Sequence, residues 1–267
     1  MESLSEYASG DSAALMKLLR RLRAPGGCPW DRKQTRHTLS RCLRGECAEL
    51  IEAIDAENKE AILDELGDLL MNVYMQAVVA EEKSEFTIKD VYEHVIAKMI
   101  RRHEHVFGEA TASTPEEVLA LWNKVKIRER GEKKRDSQMD DVQQSLSALD
   151  RAEKLQQRAA KVGFDWENAS GAAEKLLEEC DELRAALASG NENAIDEELG
   201  DLIFSAVNFC RKRERDTAEE ILRRANYKFE RRFRALENKL ALAGKLPENC
   251  TLEELDAVWN EIKQEEK

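Results

Sequence analysis

Residues 64–70 read Asp-Glu-Leu-Gly-Asp-Leu-Leu, and residues 197–203 read Glu-Glu-Leu-Gly-Asp-Leu-Ile, an offset of 133. At that same offset of 133, Glu46-Cys-Ala-Glu-Leu50 matches Glu179-Cys-Asp-Glu-Leu183. Further along, Lys98-Met-Ile-Arg-Arg102 matches Lys228-Phe-Glu-Arg-Arg232 at an offset of 130, and Trp122-Asn-Lys-Val-Lys126 matches Trp259-Asn-Glu-Ile-Lys263 at 137. Four motifs in one order at a nearly constant spacing identify a tandem duplication.

Each copy reads as helices. In the first, apolar residues recur at helical spacing as Leu39, Leu43, Leu50 and Ile54, and again as Leu63, Leu66, Leu70 and Val73. The pattern predicts helices over 12–23, 36–57, 60–83, 87–105 and 115–130, with a loop over 24–30. Thr114-Pro115-Glu116-Glu117 is a helix start, with a capping hydroxyl, a proline in the first turn and acid at the positive end. The second copy predicts helices over 146–162, 168–188, 193–214, 217–243 and 251–265. No run of strands is visible, so the expected class is all-α, two tandem helical domains packed as antiparallel bundles. The expected boundaries are 1–131, a charged linker over 132–144, and 145–267.

Composition agrees. The 267 residues hold 42% hydrophobic and 36% charged residues with 12 Gly and 4 Pro, the balance of amphipathic helices that each bury one stripe. No apolar run is long enough for a membrane span, and the N-terminal residues lack the features of a secretory signal. Six cysteines show no paired zinc-type spacing and read as reduced thiols, so a cytoplasmic protein is expected. The net charge of −12 disfavours a nonspecific nucleic-acid binder. It also means that any polyphosphate ligand would need metal ions between it and the protein's carboxylates.

The carboxylates are arranged for that. Glu179 and Glu182 are three apart on one helix, and Glu198 and Asp201 are three apart on the next, after a turn around Ser189-Gly190-Asn191. Helices joined by a short connection pack antiparallel, so the two pairs can face one another. Carboxylates gathered in this way repel unless a divalent cation neutralises them, and oxygen-only ligands favour magnesium or manganese. The alternative is a solvated acidic face. Apolar neighbours (Leu183, Leu199, Leu202) and the recurrence of the whole spacing argue against it. Gly67 and Gly200 lie inside helices, where each costs roughly 1 kcal/mol relative to Ala, which leads us to expect a closely packed neighbour at both.

Glu178-Glu179-x-x-Glu182 followed by Glu198-x-x-Asp201 resembles the EExxE…ExxD signature of the MazG family of all-α nucleotide pyrophosphatases, in its tandem two-domain form. The resemblance covers nearly the whole chain and includes the Gly27-Cys-Pro-Trp-Asp31 loop and the stretch 228–233. It implies hydrolysis of a nucleoside triphosphate to the monophosphate and pyrophosphate. It implies that Glu179, Glu182, Glu198 and Asp201 hold magnesium, with manganese as an alternative, and that Glu178 supports the site or orients the attacking water. It also implies that Lys228, Arg232, Trp259 and Lys263 contact the nucleotide, the cations through phosphate and the indole by stacking. Pairing of domains across a homodimer is a further implication.

The first copy keeps Glu46, Glu49, Glu65 and Asp68 as matching ligands and Lys98, Arg102, Trp122 and Lys126 as matching nucleotide contacts. Position 45 is Gly where the family pattern has its first Glu. The second copy is therefore expected to carry the main activity. The first is left as weakly active, selective for another nucleotide, or a dimerisation partner. All four histidines (37, 94, 103, 105) lie in the first copy, and neither acidic motif contains the Glu-x-x-His of a diiron bundle. His103 and His105 are two apart and would diverge on a helix. No phosphate-binding loop of the Gly-x-x-x-x-Gly-Lys type and no Gly-x-Ser-x-Gly elbow is present. The expected reaction is thus magnesium-dependent hydrolysis of normal or damaged-base nucleoside triphosphates, without nucleic acid or membrane as partner. The rivals are the same fold restricted to dUTP, dCTP or phosphoribosyl-ATP, a noncatalytic nucleotide- or protein-binding scaffold, and a purely structural acidic bundle.

Overall fold

Capping side chains decide where the helices begin. The computed structural model describes residues 7, 9–129, 137–140 and 142–266, and among them no strand occurs. Asp11 accepts a 2.8 Å hydrogen bond from the Ala14 amide and opens α1 (Ser12–Arg23). Thr35 opens α3 (Arg36–Asp55) through a capping box with Thr38, after a short α2 (Pro29–Lys33) in what the sequence reads as loop. Asn58 opens α4 (Lys59–Glu82) by accepting from the Glu60 and Ala61 amides. A Thr87–Asp90 box opens α5 (Ile88–Arg102), followed by α6 (Glu104–Phe107) and α7 (Pro115–Glu129). The expected cap at Thr114 forms, with the Glu117 amide 3.3 Å from its hydroxyl.

The second copy repeats the scheme with α8 (Ala148–Ala160), α9 (Ala169–Ser189), α10 (Glu192–Lys212), α11 (Ala218–Leu242) and α12 (Leu252–Glu265). Asn191 caps α10 as Asn58 caps α4, and boxes at Thr217–Glu220 and Thr251–Glu254 open α11 and α12. The chain divides into two compact units, residues 1–133 and 134–267. The segment 132–144 lies partly outside the described residues. None of the six cysteines forms a disulfide, and no helix among the described residues is long and apolar enough to cross a membrane.

In the first unit, Met16 and Leu19 of α1, Leu39 of α3, and Tyr74, Met75, Val78 and Val79 of α4 form the buried core. Paired Arg–Glu bonds lock α1 to the end of α4: Arg20 to Glu81 at 3.0 Å, and Arg23 to Glu82 at 2.6 and 2.7 Å. In the second unit, Leu236 and Leu240 of α11 pack with Ile262 of α12. α8 is tied to α10 by Gln156 Nε2, which donates to the Phe204 carbonyl at 2.8 Å.

The apolar stripe Leu63, Leu66, Leu70 and Val73 of α4 is not buried, nor is Ile54 of α3. In the second unit Leu177 and Leu187 of α9 and Leu199, Ile203 and Phe204 of α10 are exposed in the same manner. The core of α4 is instead Tyr74, Met75, Val78 and Val79, and the described residues of the same unit leave the Leu63–Val73 stripe uncovered.

Candidate metal centre and nucleotide-facing helices

The α9–α10 hairpin carries the acidic residues of the second unit. α9 ends at Gly190, whose backbone is left-handed (φ 66°, ψ 19°), and Asn191 starts the next helix at once. A connection this short lays α10 back along α9, so Glu179 and Glu182 meet Glu198. One carboxylate oxygen from each of the three lies within 4.8 Å of the other two. The α3–α4 hairpin does the same in the first unit with Glu46, Glu49 and Glu65. Its turn places Glu57, a non-glycine residue, at φ 52°, the position matching Gly190.

Asp68 and Asp201, the fourth expected ligand of each set, are not within the three-oxygen groups but lie close enough to act on them electrostatically. Burial, then the neighbouring Asp68 and Glu49, pushes the Glu46 carboxyl above its ordinary range. Burial, followed by Glu49, Asp68 and Glu46, raises Glu65. In the second unit burial, then Glu182, Glu179 and Asp201, raises Glu198. Both sets therefore concentrate negative charge in a partly desolvated place.

Glu179 is the most deeply placed of these acids, only 4% exposed, and its Oε2 is buried without a hydrogen-bond partner. Glu65 Oε2 is likewise buried and unpartnered. A buried carboxylate oxygen left unpaired is costly. An oxygen-only donor set of this size around such an atom fits a hard divalent cation. The other oxygen of Glu179 is occupied. Lys175, one turn earlier on α9, places its Nζ 2.8 Å from Glu179 Oε1, 2.9 Å from Glu178 Oε1 and 3.8 Å from Glu182 Oε2. Bonds to Glu179 and then Glu178 hold this ammonium well above the ordinary lysine range. Sequence reasoning missed Lys175, although a lysine four residues before Glu179 and three before Glu178 was a readable signal.

The two mid-helix glycines do not meet the expected neighbour. A Cβ built on Gly67 or Gly200 would find nothing within 4 Å in its own unit.

The basic and aromatic residues stand on the remaining helices. Lys228 and Arg232 are on α11, and Trp259 and Lys263 are on α12, which packs on it. Lys228 and Lys263 are exposed. Arg232 bonds through Nε to Glu266 Oε2 at 2.8 Å, and Arg231 bonds to the same carboxylate at 2.9 Å, which holds Glu266 below its ordinary range. Trp259 packs at the edge of the α11–α12 core with its ring 5.3 Å from Phe229. In the first unit Lys98 and Arg102 lie on α5 and Trp122 and Lys126 on α7, with Lys126 Nζ 4.9 Å from the Trp122 ring centre. His103 caps α5 and bonds through Nδ1 to the Met99 carbonyl at 2.7 Å. Because the helix stops there, the His103 and His105 rings come to 5.7 Å of each other rather than diverging. Neither belongs to a group of three or more metal-ligating side chains among the described residues.

The model of the MazG nucleotide pyrophosphohydrolase domain matches this chain twice, over residues 34–107 and 168–236. The chain belongs to the MazG family. Both matches contain one of the acidic helix hairpins, while Trp122, Lys126, Trp259 and Lys263 lie beyond them. By family the chain is a nucleotide pyrophosphohydrolase, all-α and tandem. It is 40% identical to the nucleoside triphosphate pyrophosphohydrolase of Escherichia coli K12 over 255 residues, 94% of this chain and 97% of that protein. It is also 40% identical to the Thermotoga maritima nucleoside triphosphate pyrophosphohydrolase/pyrophosphatase MazG over 249 residues, 93% of this chain and 94% of that one. A nucleoside triphosphate pyrophosphohydrolase of Mycobacterium tuberculosis is 37% identical over 156 residues, 58% of this chain and 45% of its own length.

Proposed function

We propose that this MazG-family enzyme hydrolyses nucleoside triphosphates, normal or base-damaged, to the monophosphate and pyrophosphate with magnesium, and that the second unit carries the main activity. The observation that supports this most directly is the buried, half-partnered Glu179 at the centre of an oxygen-only cluster. Glu179, Glu182, Glu198 and Asp201 hold the ion, and manganese can take its place. When bound, the metal neutralises phosphate charge and lowers the pKa of a coordinated water.

The chain's own groups do the rest. Glu178, at the mouth of the cluster and 59% exposed at its side chain, is placed to orient the attacking water. Water oxygen adds to the α phosphorus, the bond from that phosphorus to the α–β bridging oxygen breaks, pyrophosphate leaves with that oxygen, and the water's proton passes to solvent. Lys228 and Lys263 present exposed ammonium groups to phosphate oxygens, and Arg232 does so once it exchanges Glu266 for phosphate. Trp259 offers a ring face to the base, a contact that discriminates weakly among bases. The first unit retains ligands Glu46, Glu49, Glu65 and Asp68 and nucleotide-side residues Lys98, Arg102, Trp122 and Lys126, but Gly45 removes the water-orienting carboxylate.

The exposed apolar faces of α3–α4 and α9–α10 support assembly as a homodimer. The net charge of −12 supports small anionic substrates reached through metal rather than nucleic acid. The six unpaired cysteines support a cytoplasmic enzyme.

The experiment is chromatographic product analysis with each NTP and dNTP plus magnesium, beside Glu179→Gln and Glu46→Gln. Monophosphate and pyrophosphate that vanish only with Glu179→Gln are expected. Loss only with Glu46→Gln would move the activity to the first unit, and no turnover of any nucleotide would sink the reading.

A further inference from the structure

We propose that Lys175 is a resident counter-cation of the second-unit cluster, which an incoming divalent ion must displace from Glu179 onto Glu178. The inference rests on the metal-centre reading above and concerns how that centre is filled.

Lys175 Nζ lies 2.8 Å from Glu179 Oε1 and 2.9 Å from Glu178 Oε1, so it bridges a cluster carboxylate and its neighbour. A single positive charge relieves only part of the repulsion, and Glu179 Oε2 remains unpartnered beside it. A magnesium-sized ion bonds carboxylate oxygen at about 2.1 Å. With Lys175 still on Glu179 Oε1 and the ion on Oε2, the two cations would share one carboxylate and stand no more than about 7 Å apart. Lys175 is also 3.8 Å from Glu182 Oε2, and like charges in a partly desolvated site resist such crowding. The lysine can leave without any backbone change. Its stem is flexible, its side chain is 34% exposed, and Glu178, on the solvent side, already holds it.

The first unit supplies an internal contrast. The position matching Lys175 is Cys42, and the position matching Glu178 is Gly45. The cation and the carboxylate that receives it are absent together, while the metal-type acids are kept. On this reading Glu46, Glu49 and Glu65 would take a metal with no ammonium to remove from the position matching Lys175.

The test is manganese binding to the full-length protein without nucleotide, followed by electron paramagnetic resonance of the free ion. Glu46→Gln silences the first unit so that the second can be read alone, and Glu179→Gln does the converse. Lys175→Met should tighten the second-unit affinity roughly threefold or more, the scale of a partly exposed ion pair. Arg184→Met is the charge control. It removes one positive charge from the same helix, where Arg184 pairs with Asp181 at 2.9 Å, and should leave manganese affinity unchanged. Cys42→Lys should weaken binding in the first unit. Unchanged or weaker binding in Lys175→Met would overturn the inference, and so would an equal gain in Arg184→Met, which would mark a diffuse charge effect. No manganese binding by any of these proteins would instead bring down the metal-centre reading itself.

Discussion

Lys126 Nζ stands 4.9 Å above the ring of Trp122, whereas the matching Trp259 is packed 5.3 Å from Phe229 with no cation over it among the described residues. The first-unit indole is thus already engaged by a positive charge, and the second-unit indole has an apolar partner on one side. Replacing Trp259 by Leu should raise KM for nucleotide about tenfold, since loss of one base–aromatic stack is worth on that order. The kcat should change little, because the acidic cluster is on other helices. Steady-state kinetics separate the two, and a drop in kcat with KM unchanged would remove Trp259 from the binding surface. The conservative Trp259→Phe should recover most of the affinity.

Glu57 and Gly190 occupy the same place in the two hairpin turns, both left-handed, at φ 52° and φ 66°. A side chain there costs about 1 kcal/mol. Glu57→Gly should therefore stabilise the first unit by about that amount, and Gly190→Ala should destabilise the second by a similar amount. Urea denaturation reads both. Equal stability of all three proteins would show that the turns tolerate a Cβ.

Asp165, in the loop before α9, accepts hydrogen bonds from Arg211 and, at 3.3 Å, from Lys212 at the end of α10. The Arg211 guanidinium holds its carboxyl below the ordinary value of 3.8. The folded state thus gives up its proton more readily than the unfolded one. The stabilisation is fully present above the unfolded value and is lost as pH falls through the folded one. Asp165→Asn should cost about 1–2 kcal/mol at pH 7, with the difference from the unmodified protein shrinking below pH 4 or so. A pH-independent difference would mean that shape rather than charge carries this contact.

The uncovered leucines and isoleucine of α4 and α10 bear on assembly. Leu66 is 50% exposed and Ile203 is 54% exposed, each among other exposed apolar residues. Light scattering at micromolar concentration should give twice the mass of the chain. Leu66→Arg or Ile203→Arg should loosen the dimer at least about tenfold. A monomeric mass for the unmodified protein would refute this.

Helix type and extent were legible in the sequence because caps and periodicity are local. Thr87, Thr217 and Thr251 announce their helices, each with an acid three residues on that closes the capping box. The acidic hairpins were legible through their repetition. What covers a face is not local. Leu63 and Leu66 have core-like spacing yet lie on the surface of the single chain, since spacing gives direction but not neighbours. The same holds for Gly67 and Gly200, which face open space. Lys175 is hidden in the motif because a lysine one turn from two acids is the ordinary pattern of a solvated helix face, and only the burial of Glu179 sets it apart. The contact at His103 is not legible from spacing because a helix end changes which residues can meet.

On α10, Leu199 follows Glu198 and Ile203 follows Asp201 within one turn, and on α4 Leu66 lies between Glu65 and Asp68. The same few turns thus carry the ligand-type acids and the uncovered apolar residues. Should the proposed dimer cover that face, filling the cluster and covering the face would share the same turns and become linked equilibria. Whatever factor association adds to the affinity for metal, metal must return to the affinity of association. Under such a linkage, dilution would loosen the ion as well as the proposed partner copy, and chelation would shift the proposed dimer.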